Sequence, residues 1–354
     1  MAQSDGPNGK SPVRSARCIA LIGPYLSGKT TLLEAILART GVVTRQGTIK
    51  DKTTAGDASH EAREHGMSVE PNVADCEFIG DRFTFIDCPG SIEFQHEAAS
   101  VLAVADAAVV VCEPDPKRVP ALQLILKQLE DIGLPHFLFL NKIDTFVDMR
   151  VRDVLEVLQP ASSKPLVLRQ IPIWEKGVAT GFVDLALERA FVYREHAASE
   201  VVDVPGGILD RKKEARFHML EQLADYDDQL MEQLLTDIEP PRDRVFDDLA
   251  RELKEGLICP VLLGSAENGN GIVRCVGSVA WASFEMPKNM PTRYRAGIEF
   301  SGANAEALTV LPASNLPEFG RVPYVSQFGG LSVAAFLRGG LLPRLCTSAN
   351  HNIG

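Results

Sequence analysis

The chain has 354 residues, which is long for a single domain and fits two or three. Hydrophobic residues make up 45% of it and charged residues 23%, a balance typical of a globular protein with a full core. The formal net charge of -11 argues against broad, charge-driven binding to nucleic acid or anionic membranes. We therefore expect no direct DNA binding.

Neither the cysteines nor the apolar segments indicate secretion or membrane insertion. The seven cysteines are scattered without a C-x-x-C pair, which favours free thiols in a reducing cytoplasm over disulfides or a metal cluster. The longest apolar stretch, Val101 to Cys112, is interrupted by Asp106 and is too short to span a bilayer. Residues 1–15 are polar and rich in Gly, Pro and Ser, so they are predicted to be a disordered lead-in and not a signal peptide.

From residue 18 onward, short apolar runs alternate with helical patterns. The predicted strands are Cys18–Ile22, Thr84–Asp87, Ala107–Cys112, Phe137–Asn141 and Val261–Gly264. The predicted helices are Thr30–Thr40, which ends near Gly41, and Val119–Ile132. Such alternation predicts a doubly wound α/β fold, in which helices cover both faces of a parallel sheet.

The pattern changes between residues 144 and 261, where an α+β insertion of about residues 160–256 is predicted. Pro165–Trp174 and Gly177–Val183 are its predicted strands, and Asp210–Leu235 is predicted to be one long amphipathic helix. A second helix, Arg242–Glu255, follows a Pro-Pro break. We expect the apolar stripe of the long helix to pack on the insertion; its members are Phe217, Leu220, Leu223, Leu230 and Leu234.

The composition shifts again after residue 285. Residues 286–354 contain six Lys or Arg, three Glu and no Asp, so this segment is about +3 while residues 1–285 are about -14. Its hydrophobic periodicity is poor. We predict a main domain over residues 16–285, followed by a segment that is largely disordered or poorly packed.

Residues 23–30 read GPYLSGKT and match the phosphate-binding pattern G-x-x-x-x-G-K-[ST]. They follow a predicted strand and open a predicted helix, which is the context that the pattern needs. Main-chain N–H groups of such a loop surround the phosphates, and the helix N-terminus adds positive potential. In this pattern Lys29 reaches the terminal phosphates and the Thr30 hydroxyl binds Mg2+.

Three further motifs follow predicted strands. In the run Asp87 to Gly90, the Asp87 carboxylate can hold Mg2+ through a water and the Gly90 N–H can face a γ-phosphate. In the run Asn141 to Asp144, the Asp144 carboxylate can accept two N–H bonds from guanine, which adenine does not offer. Ala266, after the last predicted strand, can offer its N–H to guanine O6. Together the motifs predict a GTP site.

At this point the chain resembles a translational GTPase, specifically elongation factor G. The resemblance runs from about residue 16 to residue 286 and includes the insertion run LEQLADYDDQLMEQLL at residues 220–235 and the exit run GSAENGNG at residues 264–271. It implies a P-loop GTPase fold, GTP or GDP with Mg2+, and a monomer that acts at the ribosome. Residues 329–339 faintly resemble the opening strand of that family's β-barrel second domain, so residues 286–354 are expected to be a degenerate start of it.

The motifs and the resemblance together assign a set of site residues. The predicted nucleotide contacts are Gly23, Ser27, Gly28, Lys29, Thr30, Thr31, Asp87, Gly90, Asn141, Lys142, Asp144, Ser265 and Ala266. The predicted metal ligands are Thr30, Ser68 and Asp87, and the predicted catalytic pair is Lys29 and Ser91.

Three positions depart from the family pattern. Ser68 stands at the last residue of the switch loop, where its hydroxyl could close on Mg2+ or could belong to a solvated loop without a metal role. Ser91 replaces the histidine that positions the attacking water, and a short hydroxyl orients water poorly. His96 is expected to be exposed on a helix, and Leu26 replaces an aspartate of the phosphate loop. Nucleotide binding should survive these changes, with slow hydrolysis.

Three functional hypotheses stay open from the sequence. The chain could be an elongation factor G-like GTPase at the ribosome, which the insertion favours. It could be a GTP-binding regulatory switch without useful catalysis, which Ser91 favours. It could also be a truncated or frame-shifted reading of a longer factor, which the change in composition after residue 285 suggests.

Overall fold

The structure is a computed structural model that describes residues 17–57, 59–78, 81–145, 151–194 and 197–282, with the backbone of four short strands between residues 299 and 335. The predicted lead-in of residues 1–15 and most of the 286–354 segment lie outside the described residues.

Strands and helices alternate through most of the chain. The strands are β1 (Arg17–Ile22), β2 (Asn72–Phe78), β3 (Asp81–Asp87), β4 (Ala107–Cys112), β5 (His136–Leu140), β6 (Leu166–Leu168), β7 (Gln170–Glu175), β8 (Val178–Asp184), β9 (Arg189–Arg194), β10 (Ala197–Val202), β11 (Cys259–Leu263), β12 (Glu299–Phe300), β13 (Leu308–Thr309), β14 (Tyr324–Phe328) and β15 (Leu331–Ala335). The helices are α1 (Lys29–Thr40), α2 (His60–His65), α3 (Gln95–Leu102), α4 (Val119–Ile132), α5 (Val151–Leu158), α6 (Leu209–Ala224), α7 (Asp228–Leu235), α8 (Arg242–Glu255) and α9 (Ile272–Ala282).

Seven strands form the main sheet in the order β2-β3-β1-β4-β5-β11-β6. Every neighbouring pair is parallel except β2 with β3, which is an antiparallel edge pair that the sequence did not predict. The strands are apolar on both faces: Ile19 and Leu21 face one core, whereas Ala20 and Ile22 face the other. Such runs are typical of a parallel strand buried on both sides.

Helices cover both faces of this sheet. On one face α1 and α9 supply Leu32, Leu33, Ile36 and Val276, and on the other α3, α4 and α5 supply Val101, Leu126, Leu129 and Val154. This arrangement confirms the predicted doubly wound α/β fold. α1 ends at Gly41, whose φ of 80° is the left-handed conformation that glycine adopts readily at a helix C-terminus.

The insertion builds a second, antiparallel sheet in the order β10-β9-β8-β7. The helices α6, α7 and α8 pack on it through a core of their own, which includes Ile171, Val183, Leu223, Leu230 and Leu249. The predicted α+β character of the insertion is therefore present. The apolar stripe of α6 and α7 packs there as expected, apart from Phe217, which is half exposed.

Two predicted elements of the insertion are wrong in detail. Pro165–Trp174 is two strands, because β6 pairs with β11 in the main sheet and the chain leaves that sheet at Arg169 before β7 begins. The separate sheet of the insertion therefore begins at Gln170. The predicted helix Asp210–Leu235 is also two helices, because Asp227 caps the second one by accepting the N–H groups of Gln229 and Leu230, each at 2.9 Å.

The four short strands after residue 298 form two antiparallel pairs, β12 with β13 and β14 with β15. β15 falls within the run where the sequence predicted an opening strand of a second domain. Within the described residues, no helix combines the length and the hydropathy needed to cross a membrane.

Candidate nucleotide-binding site

Four loops that carry the predicted motifs meet at one edge of the main sheet. Residues 23–28 follow β1, residues 88–90 follow β3, residues 141–144 follow β5 and residues 264–266 follow β11. These strands are parallel, so their carboxyl ends lie at the same edge, where ligands of open α/β sheets bind. The structure thus brings the four sequence motifs into one cluster.

The phosphate loop connects β1 to α1 with its carbonyl groups tied to side chains. The Lys29 ammonium donates to the Pro24 carbonyl at 3.1 Å, and the Asn141 amide donates to the Ser27 carbonyl at 2.8 Å. With these carbonyl oxygens engaged by the protein, main-chain N–H groups of the loop and of the first turn of α1 are available to an anion. Thr31 lies half-buried in that first turn.

Glycines allow close approaches that a side chain would block. Gly28 has a φ of 93°, and a Cβ there would lie 2.4 Å from the Asn141 amide nitrogen. A Cβ on Gly90 would lie 2.2 Å from the Lys29 ammonium. Gly23 packs against the Val111 carbonyl, 2.1 Å from where a Cβ would stand. These contacts explain why the loops can fold this tightly only with glycine.

Among the three predicted metal ligands, Thr30 contacts both of the others. The Thr30 hydroxyl donates to Asp87 Oδ2 at 2.6 Å and lies 3.0 Å from the Ser68 hydroxyl. All three residues are buried, and the second carboxylate oxygen of Asp87 has no hydrogen-bond partner. Hydroxyl and carboxylate oxygens are the ligands that Mg2+ prefers, so this set fits the ion. Ser68 is therefore in the cluster and not in a solvated loop.

Burial shapes the electrostatics of this cluster. It raises the pKa of the Asp87 carboxyl to about 7, although the Lys29 ammonium and the hydrogen bond from Thr30 act in the opposite direction. Burial also lowers the pKa of Lys29. A divalent cation beside Asp87 and phosphates beside Lys29 would each favour the charged form of their neighbour. Within the described residues, no cluster of three His, Cys, Asp or Glu forms a competing metal site.

The base side of the site is organised by Asn141. Its side chain is 2% exposed and joins the phosphate loop to the last motif, because Nδ2 donates to Ser27 and Oδ1 accepts the Ala266 N–H at 2.9 Å. This N–H, which the sequence predicted to face guanine O6, is hydrogen-bonded to Asn141 in this structure, and its contact with guanine stays a prediction. Ser265 is buried next to it and exchanges two main-chain hydrogen bonds with Asn270.

Asp144 and Lys142 are the other two polar residues of this motif. Asp144 has one buried carboxylate oxygen without a hydrogen-bond partner, and such an atom is costly unless a ligand donates to it. The Lys142 ammonium donates to the Leu26 carbonyl and to Glu113, each at 2.9 Å. Its side chain therefore reaches from the base motif to the phosphate loop.

The sequence did not single out the residues that hold the segment before Ser68. Glu34 of α1 is 1% exposed and accepts three main-chain N–H groups, from Gly47 at 3.2 Å, Ala55 at 2.6 Å and Gly56 at 3.3 Å. Gln46 donates to the Ala266 carbonyl at 2.8 Å. In the sequence, the only indication of this role was that Glu34 is an acidic residue on an otherwise apolar face of a predicted helix.

Ser91 directly follows Gly90 and precedes a 3-10 turn at Ile92–Phe94. It is half-buried at the edge of the loop. His96 lies on α3, where its side chain is 66% exposed and 3.2 Å from Glu97. His96 is thus an exposed helix residue, as the sequence predicted. Ser91 is the residue that follows Gly90.

Comparisons with known proteins agree with this geometry. The family model of the elongation factor Tu GTP binding domain matches residues 14–299. A Synechocystis sp. protein named elongation factor G-like protein is 43% identical over 73% of this chain and 38% of its own length. Elongation factor G 1 of Geobacter sulfurreducens is 29% identical over 74% of this chain and 38% of its own length.

A solved structure of a Thermus thermophilus protein is similar with a TM-score of 0.68 and 28% sequence identity, over 76% of this chain and 40% of that one. The chain spans 38% of the length of the two curated relatives. The family model covers most of the chain, and the two relatives have the elongation factor G names that the sequence motifs led us to expect. The chain therefore belongs to the family of the elongation factor Tu GTP binding domain, among relatives of the elongation factor G type.

Proposed function

We propose that this chain binds GTP and GDP with Mg2+ and hydrolyses GTP slowly. The observation that carries the proposal is the contact of Thr30 with both Ser68 and Asp87, next in sequence to the buried Lys29. Oxygen ligands and a fixed cation at the start of a helix are what a triphosphate with its divalent ion requires. The unpaired oxygen of Asp144 supports guanine as the base.

Each residue then has a defined role in the reaction. Lys29 stabilises charge on the terminal phosphates, Gly90 offers its N–H to the γ-phosphate, and Thr30, Ser68 and Asp87 hold the metal ion. When bound, Mg2+ neutralises charge that develops on the phosphate oxygens. Ser91 directly follows Gly90, at the position whose side chain would orient the attacking water. Its hydroxyl is short and uncharged, so we infer weak orientation of water and a slow chemical step.

The proposed setting is the cytoplasm, with the ribosome as partner and the chain as a monomer. The relatives named elongation factor G and elongation factor G-like protein support the ribosome as partner. The cytoplasm and the monomer are carried over from the resemblance to that family. We propose residues 16–285 as the GTP-binding domain, with the insertion inside it. The alternative is a GTP-dependent switch without useful catalysis. Glu34 and Gln46 favour it, since they link the segment before Ser68 to α1 and to the base motif.

Hydrolysis rates with and without ribosomes test the proposal. We expect saturable GTP binding and a slow turnover that ribosomes raise only modestly, because a missing general acid/base group costs on the order of a hundred- to ten-thousand-fold. Ser91→His should raise the ribosome-stimulated rate, and Ser91→Ala should leave the slow rate almost unchanged. A fast stimulated rate in the wild type that survives Ser91→Ala would contradict the role of this position. No effect of ribosomes on any variant would favour the switch.

A further inference from the structure

Four successive carbonyl groups of the phosphate loop each accept a hydrogen bond from a side chain outside the loop turn. Pro24 accepts from Lys29, Leu26 from Lys142 and Ser27 from Asn141, and all three donors belong to the predicted motifs. The fourth carbonyl, that of Tyr25, accepts from Nη1 of Arg118. Arg118 follows β4 and is in none of the sequence motifs.

Two carboxylates lie beside this arginine, and Glu113 is the nearer one. Glu113, also after β4, contacts Nε of Arg118 at 2.7 Å through one oxygen and accepts from Lys142 at 2.9 Å through the other, whereas Asp115 lies 3.9 Å from Nε. The Glu113 side chain is 15% exposed. Glu113 therefore contacts two cations that donate to adjacent carbonyl groups of the loop. These contacts use two of the three nitrogens of the Arg118 guanidinium, which is 26% exposed.

We propose that Arg118, oriented by Glu113, is a second fixed cation of the triphosphate site and that it favours GTP over GDP. The proposal rests on the function proposed above. Arginine presents several N–H donors in a rigid fork that matches phosphate oxygens, and a cation supplied from the same chain can stabilise a terminal phosphate. The position is at the Tyr25 carbonyl, one residue along the loop from the carbonyl that Lys29 contacts.

The two cations lie beside neighbouring residues of the loop, because the Lys29 ammonium donates to the Pro24 carbonyl and the Arg118 guanidinium donates to the Tyr25 carbonyl. Like charges in such positions repel each other until an anion comes between them. A triphosphate carries one more phosphate charge than a diphosphate near Lys29, so it gains more from the second cation.

The test compares the affinity for GDP with that for guanosine 5′-(β,γ-imido)triphosphate, in the full chain with Mg2+ by calorimetry. Arg118→Gln should lower the affinity for the triphosphate analogue by about tenfold or more, as expected for a lost charge-assisted contact, and the affinity for GDP by clearly less. Arg118→Lys should recover part of the preference, because it restores the charge without the fork. The matched control is Lys117→Gln, which removes the same charge from an exposed neighbour and should change neither affinity.

Two results would overturn the proposal. An equal loss for both nucleotides in Arg118→Gln would mean that the arginine only supports the shape of the loop. An equal effect of Lys117→Gln would mean that general charge, and not position, sets the affinity. If Arg118→Gln does not fold, Arg118→Met decides in the same way, with the same selective loss expected. Failure of the wild type to bind either nucleotide would refute the proposed function itself.

Discussion

Single side chains decide which base this site selects. Asn141 is hydrogen-bonded at both ends of its amide, to Ser27 and to Ala266, so it ties the phosphate loop to the last motif. Asp144 keeps a buried oxygen without a partner. We therefore expect this carboxylate to discriminate between guanine and other bases.

Replacing Asp144 by Asn tests this assignment. The amide turns one accepting oxygen into a donor, so the affinity for GTP should fall by about a hundredfold while xanthosine triphosphate, which offers an acceptor there, should bind better than GTP. Competition binding with both nucleotides measures the change. The control is Asp131→Asn on the exposed end of α4, which should keep the wild-type preference. An unchanged preference in Asp144→Asn would remove Asp144 from the base site.

At the level of elements, α1 does more than follow the phosphate loop. Its buried Glu34 accepts three N–H groups from the segment of residues 47–56, which leads to Ser68. A carboxylate that accepts several N–H bonds holds such a segment in place more strongly than a neutral group would. Glu34 thus fixes residues 47–56 against α1, and these residues precede Ser68 in the chain.

Glu34→Gln should loosen this segment. One oxygen becomes an NH2 group that faces N–H donors, so at least one hydrogen bond is lost and amide exchange at Gly47, Ala55 or Gly56 should speed up by about tenfold. Hydrogen exchange without nucleotide measures it. Glu61→Gln, on the exposed side of α2, is the control and should leave these amides unchanged. Unaltered exchange in Glu34→Gln would contradict the anchoring role.

The insertion carries a buried acid on α8. Glu252 is 0% exposed, and one of its oxygens has no hydrogen-bond partner. Burial raises its pKa from 4.5 to about 8; Arg251 opposes the shift, and the carboxylates of Asp248 and Asp227 add to it. The folded state therefore favours the protonated acid.

This pKa shift predicts how stability depends on pH. The contribution of Glu252 is fully present below about pH 4.5 and is lost as the pH rises through about 8. Glu252→Gln should match the wild type near pH 5 and be more stable than it near pH 8. Urea unfolding at both pH values measures the difference. The control is Glu255→Gln, exposed at the end of the same helix, which should be as stable as the wild type at both pH values. If Glu252→Gln is also as stable as the wild type at both pH values, the pKa of Glu252 is not shifted.

At the scale of the whole molecule, much of the fold follows from local sequence patterns. β4, α4 and α8 have the bounds that apolar runs, proline breaks and periodicity predicted. The boundary between β6 and β7 was missed, because only Arg169 separates the two strands and apolar residues flank it and Gln170 on both sides. The break between α6 and α7 was missed because the helical spacing of leucines continues through the capping Asp227.

The site was predictable to the extent that its chemistry lies in short motifs. Thr30, Asp87, Asn141 and Asp144 lie together because each follows a parallel strand, and that rule needs no coordinates. The contacts of Glu113 and Arg118 could not be predicted from the sequence. Arg118 lies about 90 positions from the loop residue whose carbonyl group it contacts. The hydrogen bond from the Ala266 N–H to Asn141 Oδ1 could not be predicted either, because these residues are 125 positions apart.

We propose that this molecule binds guanine nucleotides with Mg2+ through Lys29, Thr30 and Asp144. A competition assay tests this directly: the chain with bound fluorescent GDP and Mg2+ is titrated with GTP and, separately, with ATP. We expect that GTP displaces the probe, that ATP does not, and that Lys29→Ala or Thr30→Ala weakens binding strongly. Displacement by ATP as readily as by GTP would contradict it.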